Sequence, residues 1–209
     1  MQAFSPEFQT ELDTLMAWRR DVRRFRTDPV DEGVLDACLN AFNCAPSVGL
    51  SEPWRLIRLD SPDARHAALH NFEAANTEAL SGYRGDRAKL YSTLKLSGMK
   101  EAPIQLAIFC DEATDKGERL GAATMPEMRQ FSVVSAIMQF WLAARARGLG
   151  VGWVSVLDPV RLSRDLAVPE AWRLIAYLCV GWPEQSDDTP ELERAGWETR
   201  RGQMPIERR

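Results

Sequence analysis

The chain has 209 residues, of which 45% are hydrophobic and 27% are charged, and its formal net charge is −4 from 26 Lys and Arg against 30 Asp and Glu. These values are ordinary for a globular domain and exclude collagen-like, coiled-coil or largely disordered chains, so we expect one domain over residues 1–209. The acidic balance argues against a nucleic-acid partner, because general affinity for nucleic acids comes mainly from neutralising phosphates.

Helices and strands alternate along the predicted chain. Apolar spacing and capping residues predict helices at about 6–20, 31–42, 62–80, 125–147 and 159–166. Apolar runs predict strands at about 54–60, 103–110, 151–157 and 174–180. This order of elements indicates an α/β or α+β sandwich around a central sheet.

The predicted helix at 125–147 has the clearest boundaries. Thr124 and Glu127 fit a capping box, Pro126 falls in the first turn, and Gly148 follows the last turn. Because apolar residues occur nearly all round this helix, we expect it to be the central buried helix. The segment 190–209 is mostly polar, with Leu192, Trp197 and Ile206 as scattered apolar residues, a pattern typical of an arm that lies over another surface.

The cysteines and the apolar runs indicate the compartment. Cys38, Cys44, Cys110 and Cys179 form no C-x-x-C pair and have no zinc-type spacing. The first residues lack the apolar core of a signal peptide, and the longest apolar stretch is too short to span a bilayer. We therefore expect a cytoplasmic protein with no metal site and no membrane partner.

Segment 19–26 reads RRDVRRFR, which places five arginines and one aspartate in eight residues. A solvated helix end explains such a cluster without a ligand, since arginine interacts favourably with the C-terminal dipole. The alternative is a phosphate-bearing ligand, which guanidinium groups bind in bidentate fashion. Asp21 either balances its neighbours or faces that ligand.

Two further segments offer backbone contacts. The loop at 45–54 (APSVGLSEPW) is either an ordinary connection or a set of backbone and hydroxyl contacts to a flat polar ligand. The segment 148–155 (GLGVGWVS) closes a helix and opens a strand, the reverse of a dinucleotide-binding fingerprint, which is therefore rejected. Gly150 and Gly152 instead permit close approach of a backbone or a ligand.

His66 and His70 are four residues apart on one predicted helix face. No H-E-x-x-H frame accompanies them, so we interpret both as surface residues. With only these two histidines and no nucleophile elbow, a Ser-His-Asp hydrolase is disfavoured.

Seven motifs together resemble the nitroreductase-like flavoprotein superfamily, and within it the 5,6-dimethylbenzimidazole synthase branch. They are RRDVRRF (19–25), APSVGLSEPWR (45–55), LKLSGMKEAPIQLAIFCDE (94–112), TMPEM (124–128), SVVSAIMQFWLAARARGLGVGWVSVLDP (132–159), LCVGWP (178–183) and PELERAGWE (190–198). The resemblance extends from about residue 18 to 200. It departs from the family pattern at Glu52, where glutamine is expected, and in a short N-terminus.

This resemblance implies an α+β sandwich in which helices flank a central, mostly antiparallel sheet. It also implies an arm-exchanged homodimer, with FMN at the subunit interface and residues 190–209 as the arm. Reduced FMN is the implied substrate and O2 the co-substrate; NAD(P)H acts only through a separate flavin reductase. The implied products are 5,6-dimethylbenzimidazole, the lower ligand of vitamin B12, and erythrose 4-phosphate.

The resemblance also implies the site residues. Carried over by motif, the FMN site consists of Arg19, Arg20, Asp21, Val22, Arg23, Ser47, Gly152 and Ser155, with Arg200 or Arg201 as a phosphate contact from the tail. Asp21 and Ser155 are the implied catalytic residues, for proton transfers during ring fragmentation. Two alternatives stay open: an NAD(P)H-dependent FMN reductase of nitro compounds or quinones, and a non-catalytic flavin- or anion-binding module.

Overall fold

A computed structural model describes residues 3–209 and contains one antiparallel sheet of four strands in the order β1-β2-β4-β3. The strands are β1 (Trp54–Arg58), β2 (Ile104–Asp111), β3 (Gly150–Val154) and β4 (Trp172–Gly181). The two central strands, β2 and β4, carry the long apolar runs, because both of their faces are covered. The four predicted strands are confirmed, but β3 ends at Val154, so Ser155 lies just beyond the strand.

Seven α-helices occur in the described residues. They are α1 (Pro6–Trp18), α2 (Glu32–Leu39), α3 (Pro62–Ser81), α4 (Gly85–Thr93), α5 (Met128–Ala146), α6 (Pro159–Asp165) and α7 (Glu191–Arg194), with 3-10 turns at Asn40–Cys44 and Val48–Leu50. The five predicted helices are present, whereas α4 and α7 have no counterpart in the prediction.

Alternating residues of the central strands separate two apolar layers. Ile104, Leu106 and Ile108 point to the layer that contains α2 and α5. Ala107 and Phe109 point to the layer that contains α3 and α6. Helices on both faces of an antiparallel sheet make an α+β sandwich, which confirms the predicted fold class.

The predicted capping box at the start of α5 is wrong. The helix begins at Met128, and its N-cap residue, Glu127, makes no side-chain cap. The Thr124 hydroxyl instead donates to the Gly121 carbonyl oxygen (3.1 Å). The expected first helical turn is replaced by a tight turn. In it, the Met128 N–H donates to the Met125 carbonyl oxygen (3.1 Å).

Helix α5 is buried along only one side of its surface within this chain. Val133, Ile137 and Phe140 are fully buried against the sheet, whereas Phe131 and Val134 are 52% and 40% exposed. The expectation of a helix buried all round is therefore not met within one chain, because the sheet covers one side of α5 and little covers the other.

The remaining expectations concern membranes, metals and thiols. Across residues 3–209 no helix is long and apolar enough to cross a membrane, and no three metal-ligating side chains of the His, Cys, Asp or Glu type come together. His66 and His70 are exposed on α3. Burial raises the pKa of the Cys110 and Cys179 thiols to about 12, so both behave as small apolar side chains.

Candidate functional site

The arginine segment, residues 19–26, leaves α1 in an extended conformation and runs beside β3. Arg19 is the C-cap of α1 with ψ 114°. The Val22 N–H donates to the Val151 carbonyl oxygen (3.0 Å), and the Arg26 N–H donates to the Trp182 carbonyl oxygen (2.9 Å). The helix-end interpretation is therefore wrong beyond Arg19, because strand-like pairing holds the segment against the edge of the sheet.

Two glycines of β3 make this approach possible. A Cβ atom on Gly152 would lie 2.1 Å from the Val22 carbonyl oxygen, and one on Gly150 would lie 2.8 Å from a Val22 methyl group. At Gly152 any larger residue would push the segment away from β3, because the Val22 backbone cannot yield as a flexible side chain can. The close approach predicted at these two glycines is thus that of Val22, by its backbone at Gly152 and by its side chain at Gly150.

Asp21 is held in one orientation through both carboxylate oxygens. Oδ1 accepts a hydrogen bond from the Trp153 N–H (2.8 Å), and Oδ2 accepts one from Arg23 Nε (2.8 Å). Arg23 is anchored in turn by its Nη1, which donates to the Lys95 carbonyl oxygen (3.1 Å). The Asp21 side chain remains 33% exposed, so this fixed carboxylate is open to a ligand.

Ser155 lies near Asp21 along β3. It is two residues beyond Trp153, whose N–H binds Asp21, and two residues of extended chain span about 7 Å. Ser155 is exposed immediately after the strand ends. The Asp21 carboxylate thus binds the strand near its C-terminal end, and Ser155 follows directly after that end.

Arginines from both ends of the chain surround a small cavity. A cavity of about 150 Å³ is lined by Arg19, Arg20, Asp21, Arg23 and Arg200, together with the tail residues Pro190, Glu191 and Leu192. Burial lowers the pKa of the Arg19 and Arg20 guanidinium groups, and the charge of Arg200 lowers both further, whereas the Asp21 carboxylate raises that of Arg19. Four arginines outnumber the two carboxylates of Asp21 and Glu191 in the lining, so the cavity favours an anionic occupant.

The guanidinium groups of the segment are positioned by their neighbours. Arg19 lies 4.7 Å from the centre of the Trp141 ring, a cation–π contact. Arg20 Nε donates to the Asp188 carbonyl oxygen (2.8 Å), and Arg24 pairs with Glu191 (3.2 Å). These contacts hold the start of the C-terminal tail across the arginine segment.

Ser47 lies apart from this cluster within one chain. Its Oγ accepts a hydrogen bond from the Glu52 N–H (3.1 Å), and the Val48 N–H donates to Ser132 Oγ at the N-terminal end of α5 (3.0 Å). Arg19 packs on Trp141, nine residues further along α5, which corresponds to about 14 Å along the helix axis. The structure therefore does not join Ser47 to the arginine cavity of its own chain.

Glu52, the departure from the family pattern, forms an ion pair with Lys116. This pair ties the loop at 45–54 to the turns that precede α5, and neither residue is among those that line the arginine cavity.

Sequence reasoning missed the partners that orient Asp21. The Trp153 N–H contact joins residues 132 positions apart, and no local pattern signals such a contact. Sequence reasoning also missed the aromatic cluster of Tyr83, Tyr91 and Trp197. Trp197, a large aromatic residue in an otherwise polar tail, was the signal that could have indicated a buried contact.

The family assignment follows from a match that covers most of the chain. Residues 16–182 match the family model described as the Nitroreductase family. The chain belongs to the nitroreductase family. The superfamily resemblance expected from the motifs is thereby confirmed.

Individual relatives in this family extend the match to nearly the whole chain. The chain is 53% identical to the 5,6-dimethylbenzimidazole synthase of Rhodospirillum rubrum over 206 residues, covering 99% of this chain and 97% of the relative. It is 49% identical to the protein of that name from Rhodobacter capsulatus, covering 93% and 94%. A solved structure of oxidized iodotyrosine deiodinase, bound to FMN and 3-iodo-L-tyrosine, superposes with a TM-score of 0.74 at 22% identity, covering 94% and 97%, and so shows the shared fold.

Proposed function

We propose that this protein is a 5,6-dimethylbenzimidazole synthase, an oxidoreductase that converts reduced FMN and O2 to 5,6-dimethylbenzimidazole and erythrose 4-phosphate. The observation that carries this proposal is the identity of 53% over nearly the full length of a relative with that name. The site agrees with it, because an oriented carboxylate lies beside a cavity rich in arginine.

The residues present fit FMN. Arg19, Arg20 and Arg200 surround a cavity in which crowded positive charge favours a phosphate. When bound, FMN supplies the isoalloxazine ring from which the product is made. Val22 and Gly152 hold the arginine segment against β3 and thereby keep the Arg19 and Arg20 guanidinium groups beside the cavity.

Asp21 and Ser155 are the groups that we assign to proton transfer. The Trp153 N–H and the Arg23 guanidinium fix the Asp21 carboxylate, so that it meets the bound flavin in one orientation. Ser155 offers an exposed hydroxyl at the same end of β3. A positioned general acid or base contributes about 10²–10⁴-fold to a rate, and a water-excluding pocket limits decay to peroxide.

We further propose a homodimer in which Ser47 of the partner subunit contacts the flavin held by the arginine segment. Ser132, which binds the Val48 N–H next to Ser47, and Trp141, on which Arg19 packs, lie about 14 Å apart along α5, and this separation supports a site built from two chains. Because Trp197 packs on its own chain and Arg200 lines the cavity of its own chain, exchange of the tail between subunits concerns the exposed residues 201–209.

A separate flavin reductase would supply reduced FMN, so NAD(P)H acts only indirectly. We place the protein in the cytoplasm, because its four cysteines are free thiols.

The direct test is a product assay with purified protein, chemically reduced FMN and air. Formation of 5,6-dimethylbenzimidazole is the expected result, and recovery of intact FMN with peroxide alone would overturn the proposal. Family membership also favours an NAD(P)H-dependent nitro or quinone reductase as a second candidate. Fast, repeated oxidation of NADH by the FMN-loaded protein would support that candidate, whereas unchanged flavin after both assays would indicate a binding module.

A further inference from the structure

An aromatic cluster anchors the tail to its own chain. The Trp197 ring meets Tyr83 and Tyr91 edge-on, with ring centroids 5.4 Å and 6.1 Å away, and those two tyrosine rings stack at 4.8 Å. The Arg87 guanidinium lies 4.6 Å from the centre of the Trp197 ring, and its Nη1 donates to the Trp197 carbonyl oxygen (2.7 Å). We call these four residues the aromatic latch.

The latch rests on a rigid base. Tyr91 is 7% exposed, and its hydroxyl donates to Asn76 Oδ1 on α3 (2.8 Å). Aromatic pairs and cation–π contacts each add to the free energy of simple burial. Such an arrangement fixes the position of Trp197, and therefore of the chain that follows it.

Trp197 is the last anchored residue before Arg200. Its N–H donates to the Leu192 carbonyl oxygen (2.8 Å), which closes the end of α7. From residue 198 to the end of the described chain, the recorded hydrogen bonds run only within residues 198–209. Arg200 nevertheless lines the arginine cavity, three residues beyond the latch.

We propose that the aromatic latch is a positioning device that holds Arg200 at the arginine cavity and thereby makes the site select flavins that carry a phosphate. The inference rests on the proposed function, since it takes FMN as the occupant. If the tail were disordered before FMN binds, the binding of the phosphate by Arg200 would cost backbone and side-chain conformational entropy. The latch orders the tail in advance and so lowers that cost.

The selectivity follows from charge. Arg19, Arg20 and Arg200 repel one another around the cavity, and a phosphate relieves that repulsion. Riboflavin has the same ring and ribityl chain as FMN but lacks the phosphate. Moving Arg200 away should therefore weaken FMN binding and leave riboflavin binding unchanged.

The test is an anaerobic titration of each protein with reduced FMN and with reduced riboflavin. The variants are Arg200→Ala, Trp197→Ala, their double mutant and Arg87→Ala, with Arg84→Ala as a matched control because Arg84 is an exposed arginine just before α4. Hydrogen bonds to charged groups correspond to about tenfold or more in affinity. We expect Arg200→Ala and Trp197→Ala each to lower FMN affinity by about that factor.

The double mutant separates positioning from independent effects. If the latch acts through Arg200, the Trp197→Ala and Arg200→Ala changes are not additive, and the double mutant binds FMN no more weakly than Arg200→Ala alone. Arg87→Ala should shift FMN affinity in the same direction, and it carries the test if Trp197→Ala fails to fold. Arg84→Ala should match the wild type for both flavins.

Several results would overturn the inference. Equal losses for FMN and riboflavin would indicate a merely structural role, and additive losses would indicate that Trp197 does not act through Arg200. A wild type that prefers neither flavin would also overturn it. The proposed function fails separately, when the wild type binds reduced FMN but forms no 5,6-dimethylbenzimidazole in air.

Discussion

At the scale of single residues, the Asp21 carboxylate is the group whose surroundings are most completely determined. Each of its oxygens accepts one hydrogen bond, from the Trp153 N–H and from Arg23 Nε. In Asp21→Asn, the amide nitrogen must face one of these donors, and the negative charge is lost. We expect product formation to fall by about 10²–10⁴-fold while reduced FMN still binds. Product yield near the wild-type value would show that Asp21 has no role in proton transfer.

Ser155 gives a complementary prediction, because nothing in the fold depends on its hydroxyl. It is exposed, and no hydrogen bond is recorded for its side chain in the described residues. We expect Ser155→Ala to change the free energy of unfolding by no more than about 0.5 kcal/mol but to reduce product formation. Thermal unfolding and the product assay on the same preparation distinguish the two effects. Undiminished product would remove Ser155 from the catalytic assignment.

A substitution at Gly152 should affect both the stability of the fold and the binding of FMN. The Cβ of Gly152→Ala would overlap the Val22 carbonyl oxygen, which would force the arginine segment away from β3. We expect a lower melting temperature and a loss of FMN affinity together. Gly82→Ala is the matched control, because Gly82 has a φ of −75° at the end of α3 and meets only one neighbouring oxygen, at 3.3 Å. Similar losses in both variants would contradict a specific role for Gly152.

At the scale of elements, one buried amide links α3 to the connection between β3 and α6. Asn71 is 1% exposed. Its Nδ2 donates to the Asp158 carbonyl oxygen (2.9 Å), and its Oδ1 accepts from the Asp158 N–H (2.8 Å). Asp158 in turn caps α6 through its side chain. This contact fixes the far end of the short connection that begins at Ser155.

Removal of that amide should destabilise the protein through the connection. Asn71→Ala leaves the Asp158 N–H without its partner, whereas the Asp158 carbonyl oxygen still accepts from the Leu162 N–H (3.0 Å). We expect a loss of about 1–3 kcal/mol in urea unfolding. Arg65→Ala is a control on the same helix, since Arg65 also binds backbone carbonyls, at Leu59 and Pro103. Product formation per folded molecule should fall in Asn71→Ala and stay unchanged in Arg65→Ala.

Elements with a strong local signal could be predicted, and those that depend on distant contacts could not. The central strands follow from uninterrupted apolar runs, and the start of α3 follows from Ser61, whose Oγ accepts from the Ala64 N–H (3.2 Å). Helix α4 carries mostly polar residues, so no apolar stripe announces it. The path of the arginine segment depends on glycines in β3, which lie more than a hundred residues away.

In the candidate site, too, some features could be predicted from the sequence and others could not. Its residue types follow from the composition of segment 19–26 and from the family motifs. The orientation of Asp21 by the Trp153 N–H and the anchoring of Trp197 are long-range contacts. They arise only when β3 and the α3–α4 region are in place, and so they lie outside what periodicity and spacing can indicate.

At the scale of the whole molecule, two helices leave apolar side chains uncovered. Helix α1 has no buried residue, and α5 has an exposed apolar side opposite the sheet. Their exposed apolar residues are Phe8, Leu12 and Met16 on α1 and Phe131, Val134 and Met138 on α5. Large contiguous exposed apolar surfaces are typical of interaction sites. A second copy of the chain bound to this surface would also place its Ser47 at the interface, since Ser47 lies beside the N-terminal end of α5.

The proposed two-chain site predicts that two variants, each inactive alone, restore activity when they are combined in one dimer. Asp21→Asn disables the site held by its own chain, whereas Ser47→Trp obstructs the site held by the partner. When equal amounts are mixed, unfolded and refolded together, about half of the symmetric dimers contain one chain of each kind. Each mixed dimer then has one site free of both changes, so activity should return to about a quarter of the wild-type value. Sedimentation must show dimers for the test to apply, and a wild type that sediments as a monomer contradicts the prediction. If both residues serve the site of one chain, no mixed dimer contains an intact site, and activity stays at the level of the separate variants.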